Sequence, residues 1–469
     1  MVTTTLVQRA IPGPRALPLV GGKVNLVRFF CNPFRTLRHL HRTYGDVVAL
    51  AQGDLSFVFA FGPALNHQLL AQPELFTNGT GPLIRLPKHT AAERLFTQNL
   101  AVMNGTHHKQ QRRLMQPAFH RQQVQSYATA MAALTQRMLD QWQAGTTIDL
   151  LTEMQQLTQQ IAITTLFGLD GEAELVQIGK LLRAAIGAGT SPLALLIPIN
   201  LPGLPFHRAN RLMEQVEEYI RSVVSRKRAQ MDATDVLATL VQVRDEDGTR
   251  LSDDELIGHA FTLFVAGHET TSNALTWTLF LLNQHPRVAA DLLDELEGVL
   301  HGAAPAIEQL SRLPLLEGVV KESLRLLSPA PIGIRITSAP CELAGYKLPR
   351  GANVIYSEFI THRLPELYAE PDRFKPERWL SLERSTYEYL PFAAGPHMCI
   401  GWAFAMQELK FVLAMLLQRY RLALAPNTQL SPSMGMRPAR GMSVRVFPQD
   451  RQFQAVPIRG SIHDLVDLG

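Results

Sequence analysis

At 469 residues the chain can bury a large core, and its 46% hydrophobic and 18% charged side chains are those of a globular protein rather than a disordered or fibrous one. Its net charge of +4, from 45 basic and 41 acidic side chains, is too small for a nucleic-acid binder, although a local basic patch could still meet an acidic partner. Three scattered cysteines, Cys31, Cys341 and Cys399, exclude a disulfide framework and a four-cysteine iron–sulfur site, and point to a reducing cytoplasm.

In chain order, the first residues lack the apolar stretch of a signal peptide or a membrane span, so a soluble protein with a flexible start over 1–11 is expected. A Pro- and Gly-rich opening leads into short strands predicted at 46–51 and 57–61. From about 105 to 325 the apolar spacing is helical, with helices predicted at 122–142, 152–166, 208–228, 253–284 and 287–300. Asp253 and Asp254 suit the positive end of the longest one. That helix is apolar from 256 to 282 except for His259, His268, Glu269 and Asn273, which a bilayer would tolerate poorly. Segment 191–206 is apolar but broken by four prolines, and reads either as a buried loop or as a mobile lid over an apolar cavity. Beyond Leu327, prolines punctuate short extended pieces such as 352–356; a helix returns at 401–419, a strand at 443–447, and a tail is expected over 455–469. No repeat and no linker divides the chain, so the expectation is one mainly α domain with a minor β region.

Four stretches carry chemistry. In Phe392-Ala-Ala-Gly395-Pro-His397-Met-Cys399-Ile-Gly401, the two glycines can make tight turns that expose the sulfur and bring amides near it. A helix beginning near Gly401 would point its positive end at a thiolate. Taken alone, a cysteine between glycines is more often a small core residue, and a zinc site at His397 and Cys399 lacks a second ligand cluster. The second stretch, Ala266-Gly-His-Glu269-Thr270-Thr271, lies mid-helix, where Gly and back-bonding Thr hydroxyls favour a kink beside an acid and an alcohol. A zinc-protease reading fails because position 272 is Ser272. Third, Glu322 and Arg325 fall three apart on one helix face flanked by leucines, and Pro376-Glu-Arg378-Trp379 supplies another arginine. Fourth, His108 and Arg112 lie four apart on one face of a basic helix.

Together, in this order, these stretches resemble the cytochrome P-450 family. They match its Phe-x-x-Gly-x-[Arg/His]-x-Cys-x-Gly signature at every fixed position, its [Ala/Gly]-Gly-x-[Asp/Glu]-Thr-[Thr/Ser] motif, and its Glu-x-x-Arg and Pro-Glu-Arg-[Phe/Trp] elements. The resemblance runs from about Pro12 to near Phe447 and implies a single-domain fold enclosing a b-type haem, with Cys399 as the axial thiolate that favours O–O cleavage. A free thiol titrates near ~8.5, so coordination or positive charge would have to hold it ionised. The loop residues Phe392, Gly395, His397 and Gly401 would cradle the ligand, and His108, Arg112, Arg335 and His397 would clamp the two propionates. Glu269 and Thr270 become the acid–alcohol pair of a proton relay, and Glu322, Arg325 and Arg378 a structural triad holding the cysteine loop.

The implied reaction inserts one atom of dioxygen into a C–H or double bond and releases the other as water, using two electrons. Only 70 residues follow Cys399 in this sequence, so a separate rather than a fused reductase is expected. The NAD(P)H electrons are expected through a ferredoxin or flavodoxin and its reductase, docking near Lys109, Arg113, Arg121 and Lys410 on an otherwise monomeric chain. A substrate pocket is expected from 81–99, 191–206, 261–265, 330–334 and 434–436, with Phe261, Val265, Ala266, Ile332, Ile334 and Met434 facing a lipophilic molecule such as a terpenoid, fatty acid or polyketide. A peroxide-using or rearranging haem-thiolate enzyme, or a non-enzymatic haem sensor, is the alternative. None of these has reason to keep the acid–alcohol pair.

Overall fold

The 32-residue helix Asp253–Gln284 is the axis of the molecule. Its start is fixed by a capping box, in which the Ser252 hydroxyl accepts from the Glu255 amide while the Glu255 carboxylate accepts from the Ser252 amide. Between Thr271 and Leu282 every side chain is buried, as in a helix that packs on all faces. The helix Leu150–Phe167 lies along it, and Pro314–Leu326 and Trp402–Arg419 close the core from other sides. The helix is continuous through Gly267. Its Thr270 and Thr271 hydroxyls donate back to the carbonyls of Ala266 and Gly267, the bonding expected of them, without breaking the helix.

The computed structural model describes residues 10–16, 22–79, 86–169, 171–189, 191, 193–194, 197–229 and 234–469. Five strands form the larger sheet in the order Val47–Ala51, Asp54–Ala60, Asn353–Tyr356, Gly333–Thr337, Phe76–Thr77. The Asp54–Ala60 and Asn353–Tyr356 pair is parallel and the other pairs are antiparallel. This sheet positions Arg335, which pairs in register with Val354. Gly333 is required there, because a Cβ would fall 2.2 Å from the Tyr356 ring. A second sheet has three antiparallel strands, in the order Thr147–Asp149, Ser443–Pro448, Tyr420–Leu424.

Three expectations are corrected. The helix predicted over 122–142 is two, Arg121–Ser126 and Ala128–Gln141, which turn about the buried Tyr127. The tail at 455–469 is packed. Ile458–Arg459 pairs with Thr428–Gln429, Ile462, Leu465 and Val466 are buried, and Asp467 pairs with Arg373 at 3.1 Å. At the other end, 1–9 lie outside the described residues, but Ile11 is buried and the Pro12 carbonyl accepts from the Ala49 amide. Of the 191–206 segment, Leu193, Ile197, Ile199 and Leu201 are exposed while Ala194 and Phe206 are buried in the core; residues 192, 195 and 196 lie outside the described residues. Among the described residues no helix is long and apolar enough to cross a membrane.

Candidate active site

One cavity of about 410 Å³ lies between the long helix and the cysteine loop. Ala266, Gly267 and Thr270 form one wall, and Phe392, His397 and Cys399 form the opposite one. The loop's shape follows from its hydrogen bonds. The Cys399 amide donates to the Phe392 carbonyl at 2.8 Å, and the Met398 amide to the Gly395 carbonyl at 3.0 Å. Gly395 has φ +69, and a Cβ there would fall 2.2 Å from the Leu70 carbonyl oxygen, so only glycine lets the loop sit on that segment. Gly401, by contrast, has an ordinary φ of −92, and a Cβ there would only touch the Phe119 ring at 3.9 Å; what it contributes is its amide, directed at the Cys399 sulfur.

The sulfur faces the cavity rather than bulk solvent. Burial pushes the thiol up, against the Gly401 amide and the Arg112 charge. At the cavity's edge are the four residues expected to meet anionic groups. His108 and His397 face each other with ring centroids 3.8 Å apart, and each has a buried Nε2 with no hydrogen-bond partner. Burial, then the charge of Arg112, pulls His108 down to about 4. Burial, then His108, Arg335 and Arg112, pulls His397 down to about 3, so both rings are neutral. Arg112 donates to the Met398 carbonyl at 2.8 Å, tying its helix to the cysteine loop, and burial pulls it down. Arg335 lies over the Tyr356 ring at 5.4 Å.

The triad is assembled around one fully buried carboxylate. Arg325 reaches Glu322 through Nε at 2.9 Å and Nη2 at 2.8 Å, and Arg378 Nε reaches it at 3.0 Å. Sequence reasoning missed that the Trp379 indole and the Lys375 amide donate to the same carboxylate, at 2.9 and 3.0 Å. It also missed His362. Its Nε2 accepts from the Leu390 amide at 2.8 Å, and its Nδ1 lies 3.2 Å from the Arg325 carbonyl. This imidazole is the strut between the Glu322 helix and the start of the cysteine loop.

The cytochrome P450 family model matches residues 11–445. The chain belongs to the cytochrome P450 family. It is 35% identical to cyclooctat-9-en-7-ol 5-monooxygenase of Streptomyces melanosporofaciens, over 89% of this chain and 90% of that one. Pentalenene oxygenase of Streptomyces avermitilis is 31% identical over 89% and 92%. A cyanobacterial cytochrome P450, CYP120A1, solved with retinoic acid bound, superposes with a TM-score of 0.82 at 25% identity, covering 94% of this chain and 99% of that one. The fold is therefore the cytochrome P450 fold, and the protein is a haem- and dioxygen-dependent monooxygenase of lipophilic compounds.

Within this P450, not every expected pocket residue reaches the cavity. Ala266 and Ile332 line it, whereas Phe261, Val265, Ile334 and Met434 do not. Phe261 is buried against Phe96, with centroids 5.4 Å apart. At ~100° per residue, a helix that turns Ala266 and Thr270 inward also turns Leu263 and Thr262 inward and carries Phe261 to the far side. The cavity wall is indeed Thr262, Leu263, Leu100, Ala101 and Ala330. Of the expected acid–alcohol pair, Thr270 lines the cavity and Glu269 does not; it is half-buried off the wall. Residues 81–85 of the expected pocket lie outside the described residues.

Proposed function

We propose that this monooxygenase oxidises a cyclic terpenoid-like hydrocarbon held between Thr270 and the cysteine loop. The observation that carries this reading is the composition of the cavity between them, where Leu, Ala, Ile and Phe side chains dominate and His108, Arg112, Arg335 and His397 collect at one edge. The names of two relatives, a cyclooctat-9-en-7-ol 5-monooxygenase and a pentalenene oxygenase, favour the same substrate class.

The residues present fit a haem. Cys399 offers sulfur to the cavity, two neutral imidazoles and two guanidiniums collect at one edge, and the Nε2 atoms of His108 and His397 await acceptors. Cys399 would ligate the iron; Arg112, Arg335, His108 and His397 would hold the propionates. Bound there, haem supplies the iron at which dioxygen is reduced and split. The chain's part is proton handling and exclusion of water. Thr270 Oγ1 holds a hydroxyl over the cavity and Glu269, the next residue, is the acid that resupplies it.

Electrons would come from NAD(P)H through a separate ferredoxin or flavodoxin and its reductase. Of the four cations expected to dock it, Arg113 is engaged by Asp245 and Lys410 lies 3.5 Å from Glu317. Lys109 and Arg121 have no ion-pair partner among the described residues. Trp402, 47% exposed beside the cysteine loop, gives that face an apolar centre. Lys109, Arg121 and Trp402 are therefore the docking residues of this proposal.

The deciving measurement for the ligand is the carbon monoxide difference spectrum of reduced protein. A strongly red-shifted Soret band, lost in Cys399→His, is expected; an unshifted band in folded protein would overturn thiolate ligation. Turnover of cyclic terpene hydrocarbons and alcohols against fatty acids of equal size then tests the substrate class. Preference for fatty acids would overturn it.

A further inference from the structure

Asn78 follows the short strand Phe76–Thr77 and lies outside every motif singled out in the sequence. Its side-chain amide donates at 3.0 Å to the Ala101 carbonyl, which can only accept, so the amide's orientation is determined and Nδ2 is the atom on that side. The same Nδ2 lies 2.9 Å from Nδ1 of His397. A donor facing Nδ1 requires that nitrogen to be the acceptor, and in a neutral imidazole the proton is then on Nε2. That Nε2 is buried without a partner at the cavity edge, beside the likewise unpartnered Nε2 of His108. Asn78 thus converts His397 into a donor aimed at the place where an anion is needed. Its own position is held by Asn104, whose side-chain oxygen accepts from the Asn78 amide at 2.8 Å and whose Nδ2 donates to the Asn78 carbonyl at 2.9 Å.

We infer that Asn78 is a positioning residue for the carboxylate of the cofactor, acting by fixing the tautomer and orientation of His397. The inference rests on the reading above that His397 meets a haem propionate. It also gives the Asn78–Asn104 pair a meaning. The two residues flank, in sequence, the helix Ala91–Thr97 and the Leu100 and Ala101 that line the cavity, so Asn78 links the anion site, through its side chain, to Asn104, through its backbone.

The test measures haem loss from holoenzyme to excess apomyoglobin, for protein loaded with haem or with its dimethyl ester. Asn78→Ala is expected to speed loss of haem roughly fivefold, as the removal of about one neutral hydrogen bond would, and to leave loss of the diester unchanged. In a His397→Ala background the same substitution should have no further effect. Asn104→Ala, which loosens Asn78 as well as the chain it braces, should speed loss of both haem and diester, and of haem the more. If Asn78→Ala accelerates loss of the diester equally, or acts fully in the His397→Ala background, Asn78 is only a loop brace and the inference fails. If wild type loses haem and diester at one rate and His397→Ala changes nothing, the propionate reading falls and takes this inference with it.

Discussion

Thr270 reaches the cavity because the helix that carries it is held in phase by buried neighbours, Thr271 to Leu282, on the turns that follow. Its hydroxyl donates to the Ala266 carbonyl, one turn back, and must exchange that bond to present its proton to the cavity. Thr270→Ala is expected to lower product formation on the order of 10²-fold, the size of a lost proton donor, while NAD(P)H consumption continues. Equal loss of both would mean that the substitution harms binding or reduction instead. The residue scale is also where sequence and structure part most visibly. Thr270 and Cys399 are legible from motif spacing, whereas Asn78 is not, because its partner His397 is 319 residues away and no local pattern announces the contact.

At the scale of elements, the cysteine loop is held from three sides: Gly395 on the Leu70 carbonyl, Arg112 on the Met398 carbonyl, and His362 beneath Leu390. Gly395→Ala puts a Cβ at positive φ against backbone and is expected to cost about 1–3 kcal/mol, read as a lower denaturation midpoint with lower haem content. Glu322→Ala strands Arg325, which is wholly buried, and is expected to cost about 3–5 kcal/mol; an unchanged midpoint and full haem content would refute the triad's role. Helix existence was readable from periodicity at this scale, but helix ends were less so. Tyr127 breaks a predicted helix, and the capping box at Ser252 was readable in principle from Ser followed three residues later by Glu.

For the whole molecule, acid should unlock the fold through His362. Burial, then Arg325 and Arg363, pulls it down to about 3, below its ordinary value near 6.5, so the unfolded chain binds its proton first. The stability it contributes is full above about pH 6.5 and is lost as pH falls from there toward 3, at ~1.4 kcal/mol per pH unit for one such group. Denaturation midpoints across that range should fall accordingly, and a flat profile would contradict this role. Partner docking is likewise a property of the whole surface. Reversing Lys109 and Arg121 together is expected to slow reduction about tenfold at low salt and flatten its salt dependence. Reversing Arg113, which Asp245 already neutralises, should do much less.

By itself the sequence determined the family, the cysteine loop, the triad and the helical core, because these rest on local spacing and on apolar periodicity that any packing must respect. Only the tertiary structure decided which of Phe261, Thr262 and Leu263 face the cavity, that the last residues pack rather than trail, and that Asn78 and His362 serve the cysteine loop. Those outcomes depend on helix phase and on contacts between distant segments, and a chain records neither until its core has closed around them.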